Sequence, residues 1–248
     1  MPVHHYGPLP DGITHALFDA DDTLYPSSCG FQSVHIRKLI QDLFWQKYRE
    51  REGQGASREA SNKLSFWYYH NHRSAYVGMV REFGMSMEEI VDHVYHSGRL
   101  DYTVLDPCEQ TRAGLEVIRY GHKLRLAILS NGTDVHVHQV LSAMGLTGLF
   151  GVVHGFNHNG YKPKPELSTI KNTLWDMNTR AENTIFIEDS LDNLRAARGL
   201  GMGYNVYIGE EHPTPPENED NTFDLWAKTL PEALSAINDM LSRKKKAA

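Results

Sequence analysis

Two carboxylates stand two residues apart in Asp19-Ala20-Asp21, where an apolar run at residues 13–19 ends in acid. A carboxylate nucleophile can divide phosphate-ester hydrolysis into two displacements through an aspartyl-phosphate. A second carboxyl beside it can protonate the leaving oxygen and later activate water. Further along, Ser130 and Asn131 offer hydroxyl and amide donors for phosphate oxygens. Tyr161-Lys162-Pro163-Lys164-Pro165 offers two ammonium groups, and Glu188-Asp189 a second acidic pair. Each also has a plain reading. Asp-x-Asp is commonly an acidic turn, Ser-Asn-Gly a turn or helix start, and lysines in a Pro-rich turn are commonly surface groups.

The elements that would position these residues alternate. Apolar runs at 13–19, 124–129 and 184–187 read as buried parallel strands, and each stops at one of the polar clusters. Helical spacing appears at 108–119, 135–144, 167–177 and 194–200. Strands alternating with helices predict an α/β fold with a Rossmann-like, doubly wound parallel sheet. In such sheets the ligand crevice lies at the carboxyl ends of the strands, so the three clusters are expected to converge.

Residues 31–100 break the alternation, with apolar side chains at helical spacing (Val34, Ile36, Leu39, Ile40, Leu43, Phe44). We assign 28–104 to an inserted α-helical cap and 1–27 with 105–248 to the core. The aromatic stretch 66–72 is expected to fill the interior of the cap, with stacking on a substrate base as the lesser alternative. Gly199-Leu200-Gly201-Met202-Gly203 follows a helix and reads as a C-cap rather than a nucleotide loop. A final amphipathic helix is expected at 230–241, and the basic stretch 243–246 is expected to be a frayed, solvated end.

Composition narrows the function classes. Hydrophobic residues make up 40% and charged residues 23%, near globular averages. No apolar run approaches the roughly 20 residues of a spanning helix, and the N-terminus lacks a signal-peptide pattern. A cytoplasmic protein with no membrane association is therefore expected. Cys29 and Cys108 are too few for a disulfide framework and are expected to be reduced. A formal net charge of −6 provides no basic footprint for a nucleic-acid polymer. The His70/His72 and His136/His138 pairs are spaced by two, which separates side chains on a helix. His93 and His96 do share a face but read as solvated or packed. No zinc signature emerges.

Asp19-Ala20-Asp21-Asp22-Thr23-Leu24 after an apolar strand resembles the first motif of the haloacid dehalogenase superfamily. Ser130-Asn131 matches its second motif, a Lys before Pro its third, and the acidic Glu188-Asp189-Ser190-Leu191-Asp192-Asn193 its fourth. These motifs occur in the superfamily's order and span the core from residue 19 to residue 193. The resemblance implies Asp19 as nucleophile and Asp21 as general acid/base, with Ser130, Asn131 and a lysine binding the phosphoryl group. Of the two lysines, Lys164 matches better, because the family's apolar positions six and ten residues later fall on Ile170 and Leu174, rather than on Ser168 and Asn172. The resemblance also implies Mg2+ held by Asp19, the Asp21 carbonyl and Asp189, with Asn193 in the outer shell. Glu188 replaces the first Asp of the commoner acidic pair and is left without a role.

The run Asp19 to Pro26 is closest to the pyrimidine 5′-nucleotidase-like branch, which implies a pyrimidine nucleoside 5′-monophosphate as substrate. The chain departs from that branch at 72–79, where Arg73 replaces a Gly, so a sugar phosphate or phosphoglycolate is the alternative small metabolite. Arg73 is either a contact for a second anionic group or a surface residue. Two further readings are a carbon–halogen hydrolase, which needs no second Asp in the first motif, and a catalytically silent binding module. A monomer or a homodimer fits the chain equally.

Overall fold

The computed structural model describes residues 3–72 and 74–247. The chain divides into two compact units, one of Met1–Cys29 with Leu105–Ala248 and one of Gly30–Val104. Arg73 lies outside the described residues.

The first unit is built on a seven-stranded sheet: β1 (His4–His5), β2 (His15–Phe18), β3 (Arg125–Leu129), β4 (Val152–His154), β5 (Thr184–Glu188), β6 (Tyr204–Ile208) and β7 (Leu225–Ala227). Their order is β1-β7-β6-β5-β2-β3-β4. All neighbours pair in parallel except β1 with β7. The chain builds outward from β2 through β3 to β4, then crosses back to β5 and builds the other way. The order therefore reverses between β2 and β5, which is where open α/β sheets form their ligand crevice.

Complete burial of β2 and β5 explains why these strands read as continuous apolar runs rather than alternating ones. Leu17, Ala127, Leu129 and Phe186 pack with Ile170 and Leu174 of α7 (Leu167–Asp176) and Leu194 and Ala197 of α8 (Leu191–Gly199). Fully burying a Leu or Phe side chain stabilises by about 1.5–3 kcal/mol. α5 (Glu109–Glu116) packs against α9 (Leu230–Ala247), and α6 (Asp134–Ala143) follows β3. Gly201, at φ 78°, follows α8 in the left-handed conformation that suits a helix end. Strands β1, β4, β6 and β7 were not recognised in the sequence; β1 has two residues and β4 and β7 three each, too few for a periodicity to show.

One expectation is overturned. The basic stretch 243–246 continues α9 to Ala247 rather than fraying. Lys244 pairs with Asp11, and Lys245 Nζ donates to the Gly121 carbonyl at 2.7 Å. These contacts from other parts of the unit hold the last turn, where cations also complement the helix dipole.

The second unit contains α1 (Arg37–Glu52), α2 (Arg58–His72), α3 (Ala75–Phe83) and α4 (Met87–Val91). Its aromatic stretch departs from the expected interior packing. Tyr68 is buried, whereas Phe66, Trp67 and Tyr69 are exposed. The buried face of α2 is set by Ser61, Ser65 and Tyr68, spaced four and three apart, and the other rings fall off that face. Gly78 admits Tyr68, because a Cβ there would sit 2.6 Å from the Tyr68 ring and 3.0 Å from Phe44. Ser86 caps α4 in a reciprocal box with Glu89. Among the described residues, no helix is long and apolar enough to cross a membrane.

Candidate active site

Asp19 immediately follows β2, and its N–H donates to the Ile187 carbonyl at 2.9 Å, extending the β2–β5 ladder by one residue. Phe18 pairs with Ile187 in register, so Asp19 and Glu188 leave adjacent strand ends. Both are buried, as is Lys164. The Lys164 ammonium joins them, with Nζ 2.5 Å from Asp19 Oδ1 and 2.7 Å from Glu188 Oε2. Lys162 is exposed. Ile170 and Leu174, six and ten residues after Lys164, are buried in α7.

Glu188, to which the sequence assigned no role, is fully engaged. One carboxylate oxygen receives Lys164; the other accepts from the backbone N–H groups of Asp189 (3.2 Å) and Ser190 (3.0 Å). It anchors the lysine and shapes the turn that carries Asp189. Asn131 also serves the lysine. Its Oδ1 accepts from Lys164 N–H at 2.7 Å and its Nδ2 donates to the Lys164 carbonyl at 3.2 Å. The amide expected to bind phosphate oxygens thus pins the segment that delivers Lys164. Ser130 is buried after β3, where its Oγ accepts from Gly132 N–H at 2.9 Å. Asn193 is buried in the first turn of α8.

Asp21 has two partners that sequence reasoning missed. Tyr25 donates its hydroxyl to Asp21 Oδ1 at 2.6 Å, and His136 Nε2 lies 2.8 Å from the same oxygen. His136 is fully buried in α6 on the face that carries Val137, Val140 and Leu141. A signal was available, since His136 is four residues before Val140 on the apolar side of the helix. Gly132 makes room for it, because a Cβ there would collide with the His136 ring.

The electrostatics separate the two aspartates. Burial first, then the charge of Glu188, pushes Asp19 up to about 8 against the pull of Lys164. Burial also acts to raise Asp21, but the charge and hydrogen bond of His136 and the Tyr25 hydroxyl outweigh it and hold the carboxyl below the usual range. Burial, then Glu188 and Asp19, pushes Asp189 well above its ordinary value. Lys164 is held above the normal lysine range: burial opposes its charge, but Asp19 and Glu188 prevail.

Asp19, Glu188 and Asp189 each offer a carboxylate oxygen within 4.8 Å of the others. One ammonium neutralises only part of this buried negative charge, and the raised Asp19 and Asp189 register the excess. An all-oxygen, anionic donor set suits a hard divalent cation.

A family model described as haloacid dehalogenase-like hydrolase matches residues 16–206. The drimenol cyclase drtB of Aspergillus calidoustus is 39% identical over 193 residues, covering 75% of this chain and 32% of that protein. The chain therefore spans about a third of the length of that curated relative. Among solved structures, a HAD phosphatase from Thermococcus onnurineus superposes with a TM-score of 0.61 at 19% identity, covering 91% of this chain and 98% of that one. The L-2-haloacid dehalogenase of Xanthobacter autotrophicus superposes with a TM-score of 0.55 at 15% identity, covering 92% and 99%. At these identities the two structures speak for the fold alone.

Proposed function

The chain belongs to the haloacid dehalogenase-like hydrolase family, and from that premise we propose that it is a Mg2+-dependent phosphatase acting on a small phosphomonoester. Asp21 carries this reading over carbon–halogen hydrolysis. A departing ester oxygen needs a proton and a departing halide does not, and Asp21 is held by Tyr25 and His136 within two residues of Asp19.

An Asp19 carboxylate oxygen attacks phosphorus, and the bond from phosphorus to the ester oxygen breaks. The leaving oxygen takes its proton from the Asp21–His136 pair. In the second displacement Asp21 accepts a proton from the attacking water, and release of inorganic phosphate restores the Asp19 carboxylate. Lys164 balances the charge of the transferring group, and Ser130 donates to its oxygens. Glu188 and Asn131 keep Lys164 in place from its side chain and its backbone respectively. Asp19, Asp189 and the Asp21 carbonyl would hold Mg2+, which when bound supplies charge stabilisation to the phosphoryl group.

A pyrimidine nucleoside 5′-monophosphate is the substrate drawn from the first-motif resemblance. A second reading comes from the 39% identical relative. Drimenol is an alcohol with an apolar body, so the same centre would act on the phosphate ester of a terpenoid alcohol. Phosphate release from UMP, CMP, phosphoglycolate, sugar phosphates and a terpenoid monophosphate, with and without Mg2+, distinguishes them. We expect Mg2+-dependent release that Asp19→Asn abolishes. Release from none of the compounds, or release that persists in Asp19→Asn, overturns the proposal.

A further inference from the structure

A second side-chain cluster lies at the sheet edge. His154 ends β4, His158 follows in the loop leading to Lys164, and Asp176 closes α7. In the sheet, β3 stands between this strand and β2. Nε2 of each imidazole is 3.4 Å from the same oxygen, Asp176 Oδ2. One ligand atom from each of the three residues lies within 4.8 Å of the others.

The orientation of His154 follows from its other nitrogen. Nδ1 lies 3.1 Å from Thr173 Oγ1, and that hydroxyl donates to the Thr169 carbonyl at 3.1 Å. Thr173 therefore accepts the ring N–H, and in the neutral imidazole the Nε2 lone pair is left facing Asp176. Two acceptors turned toward one point at this separation form an arrangement that a cation completes.

We propose that His154, His158 and Asp176 bind a borderline divalent transition-metal ion, best matched by Zn2+, with water completing the coordination. Zn–N and Zn–O bonds of about 2.0–2.2 Å place neighbouring ligand atoms of a tetrahedron about 3.3–3.6 Å apart, and the 3.4 Å between Nε2 of the buried His154 and Asp176 Oδ2 falls in that range. Two imidazoles and one carboxylate favour zinc, whereas Mg2+ takes oxygen donors and belongs with the carboxylates near Asp19. The Thr173 hydroxyl is the outer partner that fixes the tautomer and direction of a ligating histidine. Buried His154 is the fixed ligand. The two rings stack with centroids 3.6 Å apart and 15° between their planes, so coordination in the plane of both rings requires His158 to turn. Its side chain, 42% exposed, has room to do so. The bound ion clips the loop leading to Lys164 onto the end of α7.

The test is a titration of the metal-stripped full chain with Zn2+ against a chromogenic chelator, with Mg2+ in excess to occupy the carboxylate cluster. We expect one equivalent of zinc to bind. His158→Ala and Asp176→Asn, both at exposed positions whose folding a thermal melt checks, should weaken it by more than the roughly 10–100-fold that loss of an outer partner costs. Asp189→Asn should leave zinc affinity unchanged. The proposal is overturned if the wild type takes up no zinc, if the His158→Ala/Asp176→Asn double variant binds it equally well, or if Asp189→Asn is the variant that loses it. Phosphatase turnover is not read, so this outcome is independent of the function proposed above.

Discussion

Both units carry surface ion pairs, but among the described residues only the core unit buries ion pairs. In the core unit, Lys164 is buried between Asp19 and Glu188, with Asp189 close by. In the helical unit, ion pairs such as Arg51–Glu82 stay at the surface, with side chains 37% and 27% exposed. A surface pair contributes about 0–1 kcal/mol, because water screens it and ordering two long side chains costs entropy. A buried pair costs several kcal/mol to desolvate, and removing one partner leaves an uncompensated charge. Natural sequences tolerate such arrangements mainly where they serve chemistry. The core unit thus concentrates buried charge at two strand ends, those of β2 and β5, and the helical unit relies on apolar packing.

The most severe test of that contrast is Lys164→Met. It should abolish phosphate release and destabilise the protein by about 3–5 kcal/mol, measured by denaturant titration; a variant of wild-type stability would mean that the buried charges are compensated in some other way. His136→Asn comes next. It should lower kcat by roughly 100-fold or more if the Asp21–His136 pair manages protons, and steady-state kinetics beside a thermal melt separates this from unfolding.

In the helical unit the sensitive point is packing. Gly78→Ala should cost about 1–3 kcal/mol by overpacking Tyr68 and Phe44, and a thermal melt will show it. The metal affinity of the core site supplies a smaller, pH-dependent effect. Asp19 is pushed up to about 8, so below that pH it binds a proton that a cation must displace. Asp189 is raised as well, so Mg2+ affinity should rise at least about tenfold per pH unit as the pH climbs toward 8, as calorimetry across pH can check. The smallest effect belongs to Arg51→Ala, which loses at most about 1 kcal/mol and leaves turnover unchanged. A larger loss would erase the distinction between the units.

Much of the site was legible in the sequence. Strand-like runs ending at Asp19, before Ser130 and before Glu188 correspond to β2, β3 and β5, because buried parallel strands need uninterrupted apolar stretches. The helical character of residues 31–100 was legible for the same local reason. The exposed rings of α2 were not, since composition does not say which face a helix buries. Nor were Tyr25 and the anchoring role of Glu188, whose hydrogen-bond partners follow from the turn geometry rather than from residue type.

By itself, then, the sequence determined the α/β alternation, the inserted helical segment and which strand ends carry acid, hydroxyl or amide. These properties depend on periodicity and on residues adjacent in the chain. Only the tertiary structure decided that residue 188 leaves the sheet beside residue 19, that Lys164 rather than Lys162 bridges them, and that His136 reaches Asp21. These pairings span 24 to 145 residues where Lys164 is involved and 115 for His136. Strand order and helix packing bring such distant groups together, and burial then makes each one's charge depend on its neighbours.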